Sequence, residues 1–115
     1  PKTIIVFGAL TGHSLQPMMN LLKDLTPNLV AVKSRHPKAV SFQEIEMAAK
    51  RANINVLAID KSVSSGIKLA IESCDENQKI LVTGSISVVA EAREWLLGIR
   101  PELYKNIRIV EKPGI

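Results

Sequence analysis

Four times in succession, a short apolar run is followed by a longer run whose apolar residues recur at three and four positions. This alternation restricts the fold more than any other feature. Thr3–Phe7, Leu29–Val32, Val56–Ile59 and Lys79–Thr83 are rich in Ile, Val and Leu, and each has the length of a strand. After the first come Leu15, Met18, Met19, Leu22 and Leu25 with helical spacing. After the second come Ile45, Ala48, Ala49 and Ala52. Val63, Ile67, Ala70, Ile71 and Cys74 follow the third run, and Val88, Val89, Ala92, Trp95 and Leu96 the fourth. Four βα units in a row predict an α/β fold: a mostly parallel, Rossmann-like sheet with helices on both faces. Fully apolar strands suit a sheet covered on both sides. The alternating tail Asn106–Glu111 reads as a last strand at an edge.

Local signals agree with this frame. Ser41-Phe-Gln-Glu44 reads as a capping box, with Ser41 as N-cap and Glu44 reaching back. Pro17 falls in the first turn of its helix, where a missing N–H costs nothing. At 115 residues, with no repeat or linker, residues 1–115 read as a single domain. With only Phe7, Phe42, Trp95 and Tyr104 as aromatics, the core must be aliphatic. The chain starts at Pro1, as an excised domain would.

Composition excludes several classes. No apolar run approaches the roughly 20 residues that span a bilayer, and no signal peptide is visible, so no membrane partner is expected. Cys74 is the lone cysteine, which rules out an internal disulfide and fits a reducing, cytoplasmic setting. Its place in a helical pattern reads as a small buried hydrophobe. The net charge of +4 is spread out except at Lys33-Ser-Arg-His-Pro-Lys38. A nucleic-acid binder would carry a denser stripe, so the cluster points to a small anion and not to nucleic acid. Two histidines and one cysteine offer no zinc-type spacing, so no metal site is expected.

In an open parallel sheet, ligands bind beyond the carboxyl ends of the strands. Four loops lie there: Gly8–Ser14, Lys33–Lys38, Asp60–Ser65 and Thr83–Ser85. The first holds two glycines four apart with no lysine after them, so it is not a P-loop. It lacks G-x-G-x-x-G as well, which argues against an oxidoreductase nucleotide domain. Two readings stay open: a tight turn capped by Ser14, or helix amides offered to an anion. His13 has no carboxylate nearby in sequence to orient it as a base. In the second loop Arg35 and Lys38 can meet a carboxylate or phosphate, with Pro37 as a stiffener; a solvated basic turn is the other reading. Gly84 permits close backbone approach and Ser85 caps the next helix, both compatible with an anion contact. Asp60 and Ser62 read as caps.

Four stretches resemble the carboxyl-terminal domain of folylpolyglutamate synthase/dihydrofolate synthase, a branch of the Mur ligase family. They are Ile4–Leu10, Met18–Leu25, Ser34–Val40 and, most specifically, Ile80–Leu97. The resemblance spans nearly the whole chain but only the last quarter to third of such an enzyme. It implies an ATP-dependent ligase that joins L-glutamate to dihydropteroate or to a folate through an acyl phosphate. ATP and magnesium would be bound mainly by an N-terminal ATPase domain, a partner absent from this sequence. The domain seen here would help hold the incoming glutamate and close over the ATP site, and alone would be inactive. Carried over residue by residue, Arg35, His36, Lys38 and Ser85 would meet glutamate. Gly12, His13 and Ser14 would face the nucleotide, where the family often has an Asp-Lys pair, and Gly84 would supply an anion-facing backbone. Lys38 stands where the family usually has arginine, keeping the charge but not the bidentate fork. The competing reading is a free-standing, non-catalytic α/β module that binds an anionic metabolite at the same loops.

Overall fold

The structure is a computed structural model that describes residues 3–12, 14–25, 27–59 and 62–98. The tail strand read at Asn106–Glu111, the cap Asp60 and the loop histidine His13 lie outside them. The elements are β1 (Thr3–Gly8), α1 (Leu15–Leu22), β2 (Asn28–Ala31), α2 (Phe42–Arg51), β3 (Asn55–Ile59), α3 (Val63–Ser73), β4 (Lys79–Gly84) and α4 (Ile86–Leu97). The four strands pair in parallel in the order β3-β2-β1-β4.

Given the strand order, helix placement follows from one handedness rule. Crossovers between parallel strands are right-handed, so reversing the direction of travel across the sheet moves the helix to the other face. The chain steps β1 to β2 to β3 one way, with α1 and α2 on one face. It then returns through α3 to β4 on the opposite face, where α4 joins it. β1 supplies both cores by simple alternation. Ile5 and Phe7 pack with Met19 of α1 and Ile45, Ala48 and Ala49 of α2. Ile4 and Val6 pack with Val63, Ile67 and Ala70 of α3 and Val88 and Ala92 of α4. Gly66 lets α3 lie directly on the sheet, because a Cβ there would come within 2.2 Å of Val32 Cγ1.

The α/β reading and its parallel sheet therefore hold, with differences of detail. β1 and β2 are buried on both faces, but Leu57 and Leu81 on the outer strands β3 and β4 are exposed, since each has a neighbour on one side only among the described residues. The helical stripe read through Leu25 stops at Leu22; Lys23–Leu25 form a single 3-10 turn ahead of Pro27, and Leu25 is exposed. α4 buries Ser87, Val88, Glu91 and Ala92 and leaves Ile86, Val89, Trp95, Leu96 and Leu97 exposed, so most of its large apolar residues face outward. Cys74 is half-buried at the end of α3, its thiol 3.4 Å from the Asp75 carbonyl.

Candidate anion-binding site at the carboxyl edge of the sheet

The chain reverses its direction of travel between β1 and β4, so their loops leave toward opposite faces, the place where folds of this type form a ligand crevice. At its floor Gly8 and Gly84 sit opposite each other in register. Gly84 has φ +117°, and a Cβ on it would lie 1.9 Å from the Gly8 carbonyl oxygen. A Cβ on Gly8 would meet Val88 Cγ2 at 2.6 Å and the Val32 carbonyl at 2.8 Å. The two strand ends can close up this way only without side chains. Ser85 N–H donates to the Gly8 carbonyl at 2.9 Å and its hydroxyl caps α4 at Val88 N–H, 3.4 Å away.

The basic loop after β2 crosses this crevice. On one side Ser34 Oγ meets the buried Ser87 Oγ at 2.9 Å, and Ser87 meets Ser85 Oγ at 2.7 Å. Ser34 Oγ also accepts from His36 N–H at 3.3 Å. The Arg35 N–H donates to Glu91 Oε2 at 2.7 Å, and in the guanidinium Nη2 donates to both Glu94 oxygens at 2.6 and 3.1 Å while Nη1 stands 3.6 Å from Glu91 Oε1. On the other side the loop pairs with the first loop. Leu10 and Ala39 form an antiparallel bridge, Thr11 N–H donates to the Lys38 carbonyl at 2.7 Å, and Val40 N–H to the Ala9 carbonyl at 2.8 Å. Lys38 N–H donates to His36 Nδ1 at 3.0 Å, which requires the tautomer with its proton on Nε2.

Three of the four strand-end loops thus converge. His36 and Lys38 lie on the same turn as Arg35, and a string of hydroxyls links that turn to Ser85. Gly12, with φ +92° and open space around it, and Ser14 sit exposed at the far end of the first loop. Ser14 occupies the N-cap position of α1 but makes no side-chain capping bond. In the third loop Ser62 caps α3 by accepting from Ser65 N–H at 3.1 Å.

Sequence reasoning missed Ser87, Glu91 and Glu94. Their spacing is a signal in hindsight: positions i, i+4 and i+7 place all three on one stripe of α4. Glu91 is only 5% exposed, and burial of a carboxylate requires partners, which Arg35 supplies.

The residues present do not fit a magnesium site: no group of three or more His, Cys, Asp or Glu gathers among the described residues. Nor do the loops fit a triphosphate alone, since no Walker lysine follows the first loop and Thr11 N–H is turned to Lys38. A shallow groove of about 280 Å³ between α1 and α2 is lined by Leu15, Gln16, Glu44, Met47, Ala48 and Arg51, none from the crevice. No described helix is long and apolar enough to cross a membrane.

Fold and loops together define an open parallel α/β domain whose basic turn lies over its topological switch point, between α4 and the first loop. No protein-family model matches the chain, and no curated protein sequence does. Two solved structures share its fold, both of Mycobacterium tuberculosis folylpolyglutamate synthase. One is complexed with ADP and AMPPCP (TM-score 0.68) and the other with ADP (TM-score 0.70). Each is 17% identical and matches 87% of this chain. The chain spans only 24% of the length of those enzymes.

Proposed function

We propose that this chain is the glutamate-facing, carboxyl-terminal-type domain of an ATP-dependent glutamate ligase of the folylpolyglutamate synthase/dihydrofolate synthase kind. The observation that carries this reading is the convergence of Lys33–Lys38, Gly84–Ser85 and the first loop over one crevice. The turn brings Lys33 and Lys38, both exposed, to a place where small anions bind in folds of this type. The fold likeness supports a ligase over other users of such a crevice. On this reading the basic turn meets the carboxylates of incoming L-glutamate. Gly12, His13 and Ser14 face a nucleotide held, with magnesium, mainly by an ATPase domain beyond this sequence. Closure of the two domains brings the amine to the acyl phosphate on a folate or dihydropteroate and excludes water. The reaction belongs to the cytoplasm, where ATP and folates are at hand.

L-Glutamate titrated into the ¹⁵N-labelled chain tests the reading. Amide shifts should move at Ser34, Arg35, His36 and Lys38 and at Gly84 and Ser85, and more for L-glutamate than for inorganic phosphate. Shifts confined to other residues, or none at millimolar glutamate, would overturn it. Equal response to both anions would favour the free-standing anion module.

A further inference from the structure

Arg35 is the most natural anion ligand in the basic turn by residue type, because its fork matches a carboxylate. Its geometry assigns it differently. The guanidinium is already engaged by two carboxylates: Nη2 reaches both Glu94 oxygens at 2.6 and 3.1 Å and Nη1 stands 3.6 Å from Glu91 Oε1, while the Arg35 backbone N–H donates to Glu91 Oε2 at 2.7 Å. Glu91 is buried and comes from the stripe of α4 that also carries Ser87, which grips Ser34 at 2.9 Å. Three contacts from one rigid helix therefore fix two consecutive residues of the loop.

We propose that Glu91 and Glu94 are positioning residues that hold Arg35 as the clamp of the basic turn, so that the bound anion is met by Lys38. The proposal rests on the reading of this turn as the glutamate contact. The two carboxylates have a second effect. They offset the Arg35 charge at the rim, where Lys33 and Lys38 are exposed as well. Such a rim suits a carboxylate of one or two charges better than a polyphosphate.

The two roles for Arg35 predict opposite signs. If Arg35 bound the ligand, Glu91 and Glu94 would compete for it, and the Glu91→Gln/Glu94→Gln variant would bind L-glutamate more tightly. As a clamp, the loosened turn should bind it about tenfold more weakly. Arg35→Ala should weaken binding by a similar factor, and Arg35→Lys should restore part of it. Lys38→Ala should lose binding with the turn still ordered. Hydrogen exchange in the unliganded full chain is the independent arm. The Arg35 and His36 amides should exchange about tenfold faster in the double variant, while β1 amides stay unchanged. Tighter glutamate binding, or unchanged exchange at Arg35, would overturn the clamp. Absence of glutamate binding in the native chain would instead sink the ligand reading, and exchange alone would then decide the clamp.

Discussion

Gly84 and Gly12 both have positive φ, yet they should respond very differently to the same substitution. At Gly84 an added Cβ would sit 1.9 Å from a backbone oxygen that cannot swing away, so strand pairing at Gly8 must break. Gly84→Ala should cost more than about 3 kcal/mol, read as a lowered urea midpoint. Gly12 has nothing within 4 Å, so Gly12→Ala should cost only the conformational penalty of about 1–2 kcal/mol. Lys38 gives the functional counterpart. In an enzyme that pairs this chain with its ATPase domain, Lys38→Ala should raise the KM for L-glutamate about tenfold and that for ATP less. Equal effects on the two would remove Lys38 from the glutamate contact. Gly84 and Ser85 could be picked out from the sequence because a glycine and a cap at a strand–helix junction carry local meaning. Glu91 could not. A glutamate in an amphipathic run looks solvated, and only the arrival of Arg35, 56 residues away in sequence, makes it a buried anchor.

Helix ends in this chain are specified locally, which is why they could be read. Ser41, Ser62 and Ser85 each accept from an N–H three residues on. The Ser41 hydroxyl also lies 3.3 Å from the Glu44 carboxylate, so the expected pair meets, through the hydroxyl. At the far end of α2, Asn53 takes φ +59° while Asn53 N–H bonds the Lys50 carbonyl at 3.0 Å and Ile54 N–H the Ala49 carbonyl at 2.9 Å. That is a Schellman end with asparagine in the left-handed place. Because Asn53 is exposed, Asn53→Val should change little but the backbone, costing about 1–2 kcal/mol by denaturant titration. The face of α4 was harder to read. Apolar residues surround that helix, so spacing alone names no single inward side, and Val89, Trp95 and Leu96 fit a stripe as well as Val88 and Ala92 do. Packing over the sheet and the grip on the basic turn choose the second set together with Ser87 and Glu91.

For the whole molecule, the succession of strands and helices was legible but the strand order was not. Periodicity reports which residues are inward, not which strand is adjacent; right-handed crossovers and the two opposed cores settle that. The candidate site followed from the fold, since the loops of neighbouring strands leave toward opposite faces where the chain changes direction across the sheet. ATP chemistry belongs to this scale too. The purified chain should show no ATP turnover above buffer, because neither glycine loop carries the lysine that holds phosphates; measurable release of phosphate would refute that. The antiparallel bridge between Leu10 and Ala39, with its flanking bonds from Thr11 and Val40, has a consequence of its own. It makes one ribbon out of connections that leave different strands. Opening either loop must break bonds held by the other, so the amides of Thr11 and Val40 should exchange together.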